Sequence, residues 1–144
     1  MSIVTQIAKA VVAELNRENE FSVPFEATFS VKPNYELVNL DTIRVVVVPK
    51  TLEIERISRI SSKYTVTVDV GIMQRLGKLT PEEAVETLGD LVDEIMDFLS
   101  DRSLEDFKAA TFVSLVNDPV YVPEFLTQNR TFMSVLSVKY VLTA

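Results

Sequence analysis

The residues most able to do chemistry are acidic, and they are concentrated between Thr80 and Asp101. This segment contains eight carboxylates and no basic residue. The eight are Glu82, Glu83, Glu86, Asp90, Asp93, Glu94, Asp97 and Asp101. Clustered carboxylates can bind a divalent cation or act as a general acid and base. The segment lacks the alternating ligands and central glycine of a calcium loop, so this interpretation is the least favoured of three.

The other two interpretations are a plain solvent-exposed helix face, which is favoured, and an electrostatic surface for a partner. Like charges four residues apart on a helix each cost about a few tenths of a kcal/mol, so some compensation is expected. Between Arg44 and Lys78, seven basic residues stand against three acidic ones. This basic segment could dock on the acidic helix of a neighbouring subunit, although the two elements need not face each other.

The composition excludes several classes of function. Histidine and cysteine are absent from the 144 residues, and glycine occurs only three times. These absences exclude thiolate nucleophiles, disulfides, Gly-rich phosphate loops and the imidazole on which most serine nucleophiles and zinc sites depend. A formal net charge of −7 argues against binding nucleic acid through its phosphates. We therefore expect no enzyme, no catalytic residue, no cofactor and no metal.

No membrane association is expected either. No apolar run approaches the ~20 residues that cross a bilayer. The opening residues, Met1–Gln6, have neither a basic region nor a long apolar core, so no signal peptide is expected.

Two helices are predicted to support the sheet. The first covers Ser2–Glu18 and would bury Ile3, Ile7, Ala10, Val11 and Leu15 while Glu14 lies on the polar side. The second begins after Thr80, with proline at the first helical position and Glu83 completing a capping box, and runs to Leu99.

Strands and connections fill the rest of the chain. Alternating or continuous apolar residues predict strands at Phe25–Val31 (ended by Pro33-Asn34), Ile43–Val48 (ended by Pro49), Tyr64–Ile72, Ala110–Val116 and Thr131–Ala144. Residues 50–62 are interpreted as a long arm or irregular connection, Ser103–Phe107 as a short turn and Tyr121–Asn129 as a connector.

The closing strand is apolar on both faces. Phe132, Leu136 and Val138 alternate onto one side, and Met133 and Val135 onto the other. Either another part of the same chain or another subunit should cover the second side.

These elements predict a single α+β domain over residues 1–144. It should contain a largely antiparallel sheet of about four to five strands with two main helices packed on one face. Residues 50–62 would form a possible extended arm or loop.

The same order carries a family resemblance. The order begins with the opening helix, the segment Ile43–Pro49, a variable arm and the strand Tyr64–Ile72. The helix Val85–Leu99 follows, and the ending contains Asp118-Pro119-Val120-Tyr121, Phe125-Leu126 and Phe132–Tyr140. This arrangement resembles the tail-terminator, or tail-completion, proteins of long-tailed bacteriophages. The resemblance covers nearly the whole chain and consists of apolar patterns without a catalytic signature.

The resemblance implies a structural virion protein in the neck of the tail, assembled in the host cytoplasm. It would form a homo-oligomeric ring, usually a hexamer, at the head-proximal end of the tail tube. The ring would end tube polymerisation and offer a surface to head-completion or neck proteins, and genomic DNA would only pass through its channel.

No binding residue transfers from the family. The residues we expect at a subunit or tube interface are Arg56, Arg59, Asp90, Asp93, Glu94 and Asp97. The alternatives are another phage neck or tail-tube component, or a soluble adaptor or binding module unrelated to phage.

Overall fold

A computed structural model describes residues 2–17, 21–31 and 43–143. Within these ranges the chain has an α+β fold with a five-stranded sheet and three helices. The elements are α1 (Ile3–Arg17), β1 (Ala27–Phe29), β2 (Arg44–Arg56), β3 (Ser62–Arg75), α2 (Pro81–Leu99), β4 (Thr111–Asn117), α3 (Pro123–Gln128) and β5 (Thr131–Thr143). A 3-10 turn at Glu105–Phe107 precedes β4. None of the described helices is long and apolar enough to cross a membrane.

The sheet has the strand order β1-β2-β3-β5-β4. Its β1–β2 pair is parallel and the other three pairs are antiparallel, so the prediction of a largely antiparallel sheet is confirmed. The longest uninterrupted register joins β3 to β5, from Lys63 opposite Thr143 to Arg75 opposite Thr131. This pair forms the middle of the sheet.

Helices α1 and α2 share one hydrophobic core with one face of the sheet, which we call the core face. Ile7 and Leu15 of α1 and Leu88 and Ile95 of α2 are buried in this cluster. The sheet contributes alternate residues, as a two-residue strand period requires; they include Val45, Val47, Val66, Val68, Val70, Ile72, Leu136, Val138 and Tyr140. Helix α2 begins as predicted, with Thr80 and Glu83 forming a complete capping box.

Residues 50–62, predicted as a long arm or irregular connection, form an extended hairpin, and the predicted end of the strand at Pro49 was wrong. Strand β2 does not end at Pro49 but continues, through a register shift between Pro49 and Thr51, to Arg56. Residues 57–61 then turn directly into β3, so the segment is a regular hairpin rather than an irregular connection. Proline is tolerated because, in the described part of the chain, β1 accompanies β2 only as far as Val47, which leaves Pro49 on a sheet edge.

Two other boundaries also differ from the prediction. Strand β1 is shorter than the alternation from Phe25 suggested, and the predicted stop at Pro33-Asn34 lies outside the described residues. The connector Tyr121–Asn129 contains α3.

Part of the same chain covers the second face of β5 over its first half. Met133, only 7% exposed, clusters with Val46 and Met73 under Val122 and Phe125 from the α3 region. Towards the end of β5, Lys139 and Thr143 are exposed and Val141 is half-buried. The apolar second face of this strand therefore does not by itself require another subunit.

Glu14 is buried, contrary to its predicted place on the polar side of α1. It follows Ile7 by two helical turns and so lies on the same apolar stripe. Its carboxylate accepts hydrogen bonds of 2.8 Å from Arg102 Nε, from an Arg17 guanidinium nitrogen and from the backbone N–H of Glu105. These bonds fasten α1 to the segment that follows α2.

Opposing effects act on the pKa of Glu14. Burial alone raises the pKa. The hydrogen bonds from Arg102 and Glu105 and the positive charges of Arg102 and Arg17 together lower it by more than burial raises it, so the pKa is below the usual 4.5. A lowered folded-state pKa means that the stabilisation is complete above the unfolded-state pKa and is lost as the pH falls through the folded-state value.

We expect Glu14→Gln to lower the free energy of unfolding by about 1–3 kcal/mol at neutral pH, because Arg102 loses its carboxylate partner and Arg17 keeps only Glu105 and Asp106. Urea denaturation of both proteins across acidic pH checks this expectation. The difference between them should shrink as the pH falls from about 4.5, the usual pKa of the carboxyl, through the lower pKa of Glu14 in the folded protein. A difference that stays constant down to the lowest pH would contradict the role of the charge.

Candidate interaction surfaces

The end of the β2–β3 hairpin, Lys50–Lys63, exposes large apolar side chains to solvent. The exposed fractions are 41% for Leu52, 61% for Ile54, 53% for Ile57 and 93% for Ile60. We call this segment the hairpin end and residues 57–61 its tip. Its basic residues are Lys50, Arg56, Arg59 and Lys63, and its acidic residues are Glu53 and Glu55.

The strand register explains why these side chains are apolar. Leu52 lies opposite Val66, and Ile54 lies opposite Tyr64, which in turn lies opposite Leu142 of β5. Leu52 and Ile54 therefore occupy positions on the core face, because Val66 belongs to the core. The core face of the sheet continues into the hairpin end, where Leu52 and Ile54 are exposed to solvent.

The tip has a defined conformation held by its own polar groups. Arg56 donates to the carbonyl oxygens of Ser58 (3.1 Å) and Arg59 (2.5 Å). Ser58 Oγ accepts from the backbone N–H groups of Ile60 and Ser61 at 3.3 and 3.1 Å. This network presents the side chain of Ile60 to solvent without tertiary contacts from the core.

The two predicted interface arginines therefore differ in their roles. Arg56 is engaged inside the turn, whereas Arg59 is exposed and forms no ion pair with any residue that the structure describes. Arg59 is the arginine of this pair whose charge is free to meet a partner.

The predicted acidic residues of α2 divide in the same way. Asp90, Asp93 and Asp97 are exposed, and within residues 2–17, 21–31 and 43–143 none of the three takes part in an ion pair. Glu94 is instead half-buried and accepts hydrogen bonds from the backbone N–H and the hydroxyl of Ser22. Glu94 thus fastens the segment after α1, and only the aspartates remain candidates for an interface.

Sequence reasoning missed a groove beside α2. It lies between this helix and the turn that follows β4, and its volume is about 240 Å³. Its apolar lining consists of Val85, Gly89, Val92, Val120 and Phe132, and its acidic rim consists of Glu86, Asp90 and Asp93. The acidic cluster therefore borders an apolar recess.

Backbone hydrogen bonds fix the turn on the far side of the groove. Asp118 N–H donates to the carbonyl of Val135 at 2.9 Å, and Val135 N–H donates to that of Pro119 at 3.1 Å. The side-chain amide of Asn117 also donates to Val135 O at 2.9 Å. Val120 is nevertheless 56% exposed, so one wall of the groove is both rigid and apolar.

Gly89 is the signal in the sequence that could have revealed this groove. A glycine inside a helix costs about 1 kcal/mol relative to alanine, and an ideal helix position has no need of it. A Cβ atom built at Gly89 would meet nothing within 4 Å. Packing among the described residues therefore does not explain the glycine.

The groove and the tip lie at opposite ends of the sheet. Phe132 of the groove stands near the start of β5, whereas Thr143 at its end pairs with Lys63 beside the tip. At the usual rise of a strand, these two β5 residues are about 36 Å apart. The tip of one molecule therefore does not reach the groove of the same molecule.

Comparison with known proteins adds no family assignment: no family model matches the chain, and no curated protein matches it. Among the described residues there is also no group of three or more acidic side chains placed to hold a metal ion.

We expect Ile60→Asp to change the free energy of unfolding by less than about 0.5 kcal/mol, because the native side chain is exposed. Val66→Asp, in the adjoining strand, should lower it by more than about 3 kcal/mol because the new carboxylate would be buried without a partner. Urea denaturation of dilute protein measures both values. A large loss for Ile60→Asp would mean that the tip belongs to the core.

Proposed function

We propose that this chain is a structural virion protein that forms a ring at the head-proximal end of a phage tail tube. The ring ends tube polymerisation and provides the surface to which head-completion or neck proteins join. The observation that carries the proposal is the hairpin end, where four large aliphatic side chains are exposed together.

Exposed apolar residues gathered at one end of a sheet favour assembly. Scattered apolar residues are normal on a protein surface, but a contiguous group with charged neighbours is typical of a protein–protein contact. The hairpin end combines Leu52, Ile54, Ile57 and Ile60 with exposed charges at Arg59 and Lys63. It has the composition of an interface.

The position of this surface favours a ring over a symmetric dimer. If a surface at one end of a subunit contacts a different surface near the other end of its neighbour, the subunits are arranged head to tail. Such contacts close into a ring when the rotation between neighbours divides a full turn. The basic residues of the hairpin end and the free aspartates of α2 supply surfaces of opposite charge for this arrangement.

The fold and charge are compatible with the same function. The tail-terminator resemblance implies a small subunit with an opening helix, a sheet and one long helix between its strands, and the described elements follow that order. A net charge of −7 favours a channel that repels phosphate, so genomic DNA would pass without being retained. The partners are then further copies of the chain, the tail tube protein and a neck or head-completion protein.

The decisive experiment adds purified protein to polymerising tail tube protein. Native mass spectrometry should count a closed ring, expected to be a hexamer, and electron microscopy should show tubes that stop growing with a ring at one end. Long cylinders of this protein alone would instead identify a tube subunit. A monomer that leaves the tubes unchanged would identify an unrelated adaptor module and overturn the proposal.

We expect Arg59→Glu to weaken ring formation by about tenfold in concentration, because it reverses an exposed charge at the proposed contact. Light scattering across a dilution series measures this effect. Lys108→Glu makes the same charge change at an exposed site after α2 and serves as the matched control. Equal behaviour of both variants and the native protein would remove Arg59 from the interface.

A further inference from the structure

We propose that the groove beside α2 receives the hairpin tip of a second copy of this chain, with Ile60 entering the apolar recess and Arg59 meeting the acidic rim. This inference rests on the proposed function, which supplies the closed ring. It specifies the contact between neighbouring subunits in that ring. Three observations on the groove and the tip carry it.

The first observation is the absence of a side chain at Gly89. This residue lines the groove, and a Cβ atom there would meet nothing within the chain. A helix-interior glycine with an open position leaves room for another backbone to approach the helix closely. A narrow element, such as the turn of a β-hairpin, can approach the helix backbone in a groove of about 240 Å³.

The second observation is the match in polarity. The groove has an apolar lining at Val85, Val120 and Phe132, and its rim carries acidic residues. The tip presents Ile60, which is 93% exposed, beside Arg59, which forms no ion pair with a described residue. An aliphatic anchor next to a guanidinium suits an apolar recess bordered by carboxylates.

The third observation is geometric. The tip and the groove lie at opposite ends of β5, so the two surfaces can meet only between different molecules. Each subunit would donate one tip and one groove. Because the tip and the groove are different patches at opposite ends of the subunit, the contact can repeat head to tail, the arrangement that closes into a ring.

Three variants of the full chain test the contact. Ile60→Asp removes the anchor, Gly89→Leu fills the recess, and Thr87→Leu adds the same side chain at an exposed position of α2 outside the groove. Sedimentation velocity across a concentration series compares their self-association with that of the native protein. We expect Ile60→Asp and Gly89→Leu to weaken association by at least about tenfold, and Thr87→Leu to leave it unchanged.

Thermal unfolding separates docking from folding. Gly89→Leu should raise the Tm of the dilute protein by about 2–4 °C, because leucine is a better helix former than glycine and the position is open. A variant that is more stable as a monomer but associates less well points to an occupied groove. A fall in Tm together with weaker association would mean that leucine damages the subunit, and the smaller Gly89→Ala then decides by the same two measurements.

Mixing the two defective proteins gives the sharpest result. Ile60→Asp retains a native groove and Gly89→Leu retains a native tip, so an equal mixture should form a heterodimer and nothing larger. Native mass spectrometry distinguishes the two chains by mass. Failure of the mixture to dimerise, while each variant alone stays monomeric, would overturn the head-to-tail contact.

The remaining outcomes separate this inference from the proposed function. If Gly89→Leu assembles like the native protein, the groove is not the contact, and the tube experiment still decides whether the rings cap tail tubes. If the native protein stays monomeric at every concentration, the docking is overturned and the tube experiment alone decides the function. If the variants associate as expected but the rings do not stop tube growth, the docking is supported and only the proposed function is overturned.

Discussion

The antiparallel pairing of β3 with β5 is the constraint on which the rest of the structure depends. It runs without a register shift from Lys63–Thr143 to Arg75–Thr131. Because side chains alternate across a strand, this register decides which residues join the core under α1 and α2 and which face outward. It also places the hairpin tip at one end of the molecule and the groove beside α2 towards the other.

The subunit thus contains features that serve its own stability and features that do not. Buried aliphatic residues and the Glu14 network hold α1 and the segment after α2 to the sheet. The exposed aliphatic residues at the hairpin end, the exposed aspartates of α2 and the glycine inside the same helix have no evident role in packing among the described residues. Their common explanation in our proposals is contact between copies, where the apolar tip loses solvent and the carboxylates gain a cation.

The closing strand is covered within its own chain over its first half. Its apolar second face left two covers open, another part of the same chain or another subunit, and Phe125 and Val122 from the α3 region cover Met133 within the same chain. The case for assembly therefore depends on the hairpin end. The residues predicted for an interface were also unequal: Arg56 and Glu94 make internal hydrogen bonds, whereas Arg59, Asp90, Asp93 and Asp97 stay available.

The sequence by itself determined the α+β class, the capping box of α2, the strand character of Thr131–Thr143 and the acidic character of one helix face. These features are local, because hydrophobic period, capping residues and charge are written in consecutive residues. Only the tertiary structure decided that Pro49 lies on a sheet edge, that Glu14 is buried among Arg17 and Arg102, and that a groove opens beside Gly89. Each of these depends on which distant segments meet, and a local pattern does not specify those partners because they are set by sheet register and packing.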